Sequence, residues 1–291
     1  MGGTFDVLTG KVLPGTYMNF ESARQDLVNN NSRGIVVIPL IGHTYGPAKK
    51  FFSLYSNAPD AEYSKLGMSV YDDNAQMLLI REAFKNAREV IVYIMGPNAK
   101  ASATAAPLTA TAKYEGSLGN NFKLVVTANP TDGFDVNVYL NDALVFTQTG
   151  VSTVEELEEN EWVDFSGTGA LAANAGVNFS SGANTEATNK DITDFLDSVE
   201  KKNFNVLCFP STESTLHTAL KTKIKYLRDE AGRGVQAVVP DFAGDYEGII
   251  NVTNSVVVDD KELTNAQACA FVAGISEIGR ASCRERVCPY V

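Results

Sequence analysis

The sequence predicts an α/β protein. Its central α/β domain is interrupted by a β-rich inserted domain of sandwich or barrel type, and an extended N-terminal arm precedes both. Three observations predict this. Apolar β-branched runs alternate with helical periodicity in residues 33–98 and again in 189–276. Between them, over 107–166, the hydrophobic period drops to two. Residues 1–32 show no period, only scattered apolar side chains such as Phe5, Val7, Val12 and Tyr17 between Gly2-Gly3, Pro14-Gly15 and Asn29-Asn30-Asn31-Ser32. Such a segment has no core of its own and reads as an extended arm, with a disordered leader as the alternative.

In the first α/β segment, Gly34-Ile35-Val36-Val37-Ile38-Pro39-Leu40 is a continuous apolar run, the pattern of a strand buried on both faces. Asp73, with Gln76 three residues on, reads as a capping box. Met77, Ile80, Phe84 and Ala87 then recur at helical spacing, with Arg81, Glu82, Lys85 and Arg88 on the opposite face. Val90-Ile91-Val92-Tyr93-Ile94-Met95 is the next buried strand, stopped at Gly96-Pro97. A strand, a long crossover containing a helix, and a second strand predict a parallel pair.

Residues 99–106 are small and read as a linker. Strands follow at 109–114 and 123–127. Phe134, Val136, Val138 and Leu140 alternate with polar neighbours, and Asn141-Asp142 turns this strand onto Leu144-Val145-Phe146. Ser152 with Glu155 predicts a short capped helix. The glutamates Glu155, Glu156, Glu158, Glu159 and Glu161 read as a solvated face. Trp162-Val163-Asp164-Phe165 closes the insert, and residues 167–188, rich in Gly, Ala, Ser and Asn, read as a second linker.

The second α/β segment begins with a helix carrying Ile192, Phe195, Leu196 and Val199. A strand at 205–210 and a helix marked by Leu216, Leu220, Ile224 and Leu227 follow, the helix ending near Gly232. Further strands are predicted at 234–240, 249–252 and 256–258. Thr264 and Gln267 cap a last helix that is expected to end at Ser276.

Composition narrows the function. The chain has 291 residues with 44% hydrophobic and 20% charged residues, so it folds as a globular protein and not as a disordered chain. A formal net charge of −11 repels phosphate backbones, so no direct nucleic-acid partner is expected. No apolar run is long enough to span a membrane. The N-terminus lacks a basic segment followed by an apolar one, so no signal peptide is expected and synthesis is cytoplasmic. Cys208 and Cys269 sit in apolar runs and read as buried reduced thiols.

Motifs for chemistry are absent. Gly42-His43-Thr44-Tyr45-Gly46-Pro47-Ala48-Lys49-Lys50 lacks the second glycine and the Lys-Ser/Thr ending of a phosphate-binding loop. Gly116-Ser117-Leu118-Gly119-Asn120-Asn121 reads as a loop between strands. The two histidines, His43 and His217, lie far apart and without metal-ligand spacing. His43 follows a strand end, where α/β enzymes place ligands, but no nucleophile accompanies it. Asp241 and Asp245 also follow a strand end and read as a polar loop. No catalytic, cofactor-binding or metal-binding residue is predicted, and no cofactor.

Three segments resemble a known family. Gly2-Gly3-Thr4-Phe5 through Lys11-Val12-Leu13-Pro14-Gly15-Thr16-Tyr17-Met18-Asn19-Phe20 resembles the N-terminal arm of contractile tail sheath proteins of myophages and phage-like particles. Leu108-Thr109-Ala110-Thr111-Ala112-Lys113-Tyr114 with Glu115-Gly116-Ser117-Leu118-Gly119-Asn120 is similar to the start of that family's β-rich insert. Val235-Gln236-Ala237-Val238-Val239-Pro240 through Asp245-Tyr246-Glu247-Gly248-Ile249-Ile250-Asn251-Val252 is similar to its central α/β domain. The order and spacing fit over residues 1–276.

The resemblance implies a structural subunit and no enzyme. Subunits of this kind polymerise around a tail tube and contract to drive it through a cell envelope. The implied partners are other sheath subunits, the tail tube protein, and the baseplate and tail terminator proteins, and the implied location is the virion tail. The arm, with Phe5, Val7, Val12, Pro14 and Tyr17, is implied to add a strand to a neighbouring subunit. A sheath of a phage-derived bacteriocin or other contractile injection system fits equally. An unrecognised α/β enzyme or ligand-binding protein, and a surface-binding module using the insert, are the readings of a different class.

The chain resembles the front two-thirds of such a protein. Glu277-Ile278-Gly279-Arg280-Ala281-Ser282-Cys283-Arg284-Glu285-Arg286-Val287 resembles, residue for residue, the translation of a common short-read sequencing adapter. Residues 277–291 are therefore expected to be non-native, the gene to continue past Ser276, and Cys283 and Cys288 to form no metal site.

Overall fold

The computed structural model describes residues 34–258 and 261–284. Its centre is a six-stranded sheet built from β1 (Ile35–Ile41), β2 (Phe51–Tyr55), β3 (Glu89–Met95), β12 (Val206–Cys208), β13 (Gln236–Pro240) and β14 (Ile249–Val252). The order is β14-β13-β12-β1-β3-β2. All neighbours are parallel except β2, which runs antiparallel to β3 along one edge.

Helices cover both faces, which is why the strands read as unbroken apolar runs. Val36, Ile38, Leu40, Val90, Val92 and Ile94 point to one side, against α2 (Ala75–Phe84) and α5 (Asn265–Arg284). Val37, Ile91, Tyr93, Leu207 and Val239 point to the other, against α3 (Asn189–Val199) and α4 (Ser214–Lys225). The predicted stripes are the buried faces on α3 (Ile192, Phe195, Leu196 and Val199) and α4 (Leu216, Leu220 and Ile224), but only in part on α2. There Met77 and Ile80 are buried, Phe84 is half-buried, and Glu82, expected on the polar face, is buried and paired with Lys85 at 2.9 Å because α5 covers that side of the helix. α5 lies close against α2 because Gly274 has no side chain; a Cβ there would sit 2.8 Å from the Ala83 carbonyl oxygen.

Local details differ from the sequence expectation. The N-cap of α2 is Asn74, not Asp73: its Oδ1 accepts from the Gln76 and Met77 amides at 2.8 and 3.4 Å. Gln76 turns away and donates to the Ile41 carbonyl at 2.8 Å. The Thr264–Gln267 cap of α5 forms as predicted, through reciprocal bonds of 3.0 and 3.3 Å. The α5 backbone does not end at Ser276 but continues to Arg284. Once three packed turns exist, each further residue adds one hydrogen bond without a new nucleation cost.

The insert is a β-sandwich. One sheet has the order β10-β6-β7-β8, made of β6 (Phe122–Ala128), β7 (Phe134–Leu140), β8 (Ala143–Val151) and β10 (Val177–Asn178). The other has the order β11-β4-β5-β9, made of β4 (Pro97–Ala105), β5 (Leu108–Glu115), β9 (Val163–Ser166) and β11 (Ala183–Asn184). The β7–β8 hairpin turns at Asn141 and Asp142, both with positive φ, 48° and 64°, as a two-residue hairpin turn requires.

Two stretches expected to be linkers are structured. Residues 99–106 fall largely in β4, where Ala101 and Ala103 face the sandwich core. Alanine alternating with serine and threonine carries too little hydrophobic contrast to show the period. Within 167–188, β10 and β11 each add two residues to a sheet edge. The predicted Ser152–Glu155 cap lies one residue later, as a Thr153–Glu156 capping box on a single 3₁₀ turn, Val154–Glu156.

The double-sided burial of β1 generates a prediction. Ile38 is fully buried at the centre of the sheet. Ile38→Ala is expected to lower the unfolding free energy by about 2–5 kcal/mol in urea titrations, with the fold retained.

Candidate functional site

In a doubly wound sheet, ligands bind outside the carboxyl ends of the strands where the strand order reverses. Here that point lies between β1 and β12. A crevice of about 390 Å³ opens there, lined by Ile41, Gln76, Pro210, Ser211, Glu213 and Gln267 among others. The first turns of α2, α4 and α5 border it. Glu213 is the one ionisable residue of the lining, and it places a carboxylate where a phosphate-binding loop would supply a cation.

The histidines are core residues. His43 is 1% exposed, and its Nε2 donates to the Leu66 carbonyl at 3.0 Å. Its Nδ1 is buried without a partner. Burial pushes its pKa down from 6.5 to about 4, against a smaller opposing effect of the Leu66 bond. His217 is equally buried, bonded to the Ser211 carbonyl and packed against Phe209 and Phe242 at centroid distances of 6.3 and 5.1 Å. The two rings belong to different neighbourhoods.

The carboxylates are loop-builders. Asp241 and Asp245 both have positive φ, and Asp241 accepts a hydrogen bond from Asn265. All five glutamates from Glu155 to Glu161 are exposed. Glu156 accepts from the Ser152 amide at 2.8 Å, which lowers its pKa, and Glu155 accepts from the Gly169 amide at 3.1 Å. Among the described residues, no three His, Cys, Asp or Glu side chains are grouped to hold a metal ion. Cys208 and Cys269 are free and buried, and burial raises both thiols, Cys269 to about 12. No helix among the described residues is long and apolar enough to cross a membrane.

The outer surface carries features suited to contact. A groove of about 590 Å³ runs between α3 and α4, with Leu196 at its base and Tyr226, 40% exposed, on its wall. Lys223 bridges Asp197 and Glu200 beside it at 2.9 and 3.0 Å. Lys49 binds Asp191 at 2.6 Å and, with the Thr188 amide, holds that carboxyl at a pKa of about 2. Tyr55, Tyr71, Leu144, Val257 and Ile275 are exposed apolar residues spread over both domains. The arm residues Phe5, Val7, Val12, Pro14 and Tyr17 lie outside the described residues. Sequence reasoning passed over Tyr45, a fully buried ring that belongs to the sandwich core although it precedes the insert by fifty residues in the chain.

His43 generates a pH prediction. Its folded pKa of about 4 is below its ordinary value of 6.5, so the unfolded chain takes up the proton first. The stability that the neutral ring contributes is complete above pH 6.5 and is lost as pH falls toward 4, by about 3 kcal/mol. His43→Gln keeps a donor for Leu66 and removes the titration. Urea midpoints at pH 7 and pH 4.5 are expected to differ less for this variant than for the parent chain.

Comparison with known proteins places these features. The model for the β-sandwich domain of phage tail sheath proteins matches residues 95–184, and that for the central domain of phage tail sheath proteins matches residues 185–283. The chain is 38% identical over 298 residues to the phage-like element PBSX protein XkdK of Bacillus subtilis, covering 94% of this chain and 63% of that one. A tail sheath protein of Clostridium phage phiCD119 is 36% identical over 84 residues, 29% of this chain and 24% of that one. The crystal structure of a sheath tail protein from Desulfitobacterium hafniense is similar with a TM-score of 0.78 and 40% identity, covering 90% of this chain and 62% of that one. One from Listeria innocua gives 0.74 and 36%, covering 84% and 56%. The chain thus spans less than two-thirds of the length of these longer relatives. With the sandwich domain followed directly by the central domain, in the order and at the identity of these relatives, the chain belongs to the phage tail sheath protein family.

Proposed function

We propose that the chain acts as a structural subunit of a contractile tail sheath, polymerising around a tail tube and contracting to drive it through a cell envelope. The observation that carries this reading is the pair of consecutive sheath domains over residues 95–283. On this reading the work comes from exchanging one set of protein–protein contacts for another, and no catalysis or cofactor is required. The partners are further copies of the subunit, the tail tube protein, and the baseplate and terminator proteins, and the site of action is the virion tail. The arm residues Phe5, Val7, Val12, Pro14 and Tyr17 add a strand to a neighbour, a contact that propagates into a helical array. The relative from a phage-like element favours a second setting, the sheath of a phage-derived bacteriocin or similar injection system.

The test is assembly. Residues 1–276 are joined to the C-terminal third of the Bacillus PBSX relative and co-expressed with that element's tube protein. Negative-stain microscopy is expected to show regular tubular sheaths. Soluble monomers that carry a bound nucleotide or metabolite in native mass spectrometry would instead support an α/β enzyme.

We also propose that residues 277–291 are translated adapter and that the gene continues past Ser276. Reading the source gene across that codon is expected to give a different sequence; an uninterrupted natural reading of Glu277 to Val287 would refute this.

A further inference from the structure

The sandwich leaves the α/β domain after Gly96 and returns at Thr185, and a two-stranded connection of this kind is ordinarily a hinge. The contacts around it are those of a lock. The Thr185 amide donates to the Gly96 carbonyl at 2.7 Å and ties the two crossings together. Residues 42–48 then run from the end of β1 along the insert. The Gly42 amide donates to Met95 at 2.9 Å and the Lys49 amide to Ile94 at 3.0 Å, both in the central sheet. Between them, the Gly46 amide donates to Glu115 at 3.0 Å, and Thr44 accepts from the Leu118 amide at 3.2 Å, both in the insert. One short segment is thus hydrogen-bonded to both domains.

Tyr45 stands at the middle of that segment. Its ring is 0% exposed and packs edge-on against Tyr114 and Phe122 of the sandwich, at centroid distances of 6.0 and 5.9 Å. A second anchor, α1 (Tyr63–Leu66), places Tyr63 against Trp162 at 5.2 Å. The fit leaves no room for adjustment. Gly116 has φ 132°, and a Cβ there would lie 2.1 Å from the Thr44 carbonyl oxygen. Gly67, at φ 72°, would bring a Cβ within 2.7 Å of the Tyr45 ring.

We infer that Tyr45, seated in the core of the sandwich, locks the insert to the central domain so that the two domains hold one relative orientation and unfold as one unit. Flexing at the connection would withdraw a buried aromatic ring and break the Gly46–Glu115 and Leu118–Thr44 hydrogen bonds that join the segment to the insert.

The chain carries one tryptophan, Trp162, and it sits at this seam. Every α-helix among the described residues lies in the α/β part. Tryptophan emission therefore follows the sandwich core and its seam, while helical circular dichroism follows the α/β part. In urea, the parent chain is expected to show coincident transitions by both probes. Tyr45→Phe keeps the ring and is expected to stay coincident, whereas Tyr45→Ala separates them, the tryptophan transition moving to lower urea. Split transitions in the parent chain, or coincident ones in Tyr45→Ala, would overturn the lock. Should Tyr45→Ala fail to fold, native-state hydrogen exchange of the parent chain decides. The Gly46 and Leu118 amides are expected to exchange as slowly as the β1 amides; exchange a hundredfold faster would mean that the seam opens on its own.

Discussion

The structure depends on one constraint: a parallel sheet has to be covered on both faces. Successive residues of β1 and β3 point in opposite directions, and both directions are apolar. Helices α2 and α5 take one side, α3 and α4 the other. That requirement holds together segments more than 150 residues apart in sequence, because α3 and α4 arrive only after the insert. The insert in turn can be large because it brings its own core, built around Phe122, Leu124, Val138 and Trp162.

What the sequence made legible follows from the size of the hydrophobic signal. The unbroken runs in β1 and β3 and the stripes on α3 and α4 are large side chains in long elements, and they appear where expected; on α2 the stripe is wider than its period showed, and Glu82 is buried with it. The strict alternation of β7 and its Asn141-Asp142 turn were equally plain. β4 was not, because its buried positions are alanines, and β10 and β11 are only two residues long. β2 stayed hidden for another reason. It is five residues of half-buried edge, defined by pairing with β3 and not by its own pattern. The caps shifted by one residue, from Asp73 to Asn74 and from Ser152 to Thr153. Neighbouring residues of similar chemistry compete there, and backbone geometry decides.

The glutamate run is exposed, as its composition suggested, whereas the burial of His43 and His217 comes from tertiary packing that their sequence neighbours do not show. The residue that sequence could not reveal is Tyr45. Its neighbours in the chain belong to the α/β domain, while its neighbours in space belong to the sandwich. Only Gly46, Gly67 and Gly116, which permit the close approach, hint at it, and single glycines are too common to read.

Family membership and a fold in which one segment is bonded to both domains thus lead to one account: a subunit whose sandwich and central domain are held as one unit. The most direct measurement is cryo-electron microscopy of this chain joined to the C-terminal third of its Bacillus relative, with the particles classified by the orientation of the sandwich against the central sheet. The account predicts that residues 34–258 superimpose as one body in every class. A rotation of the sandwich about Gly96 and Thr185 between classes would contradict it.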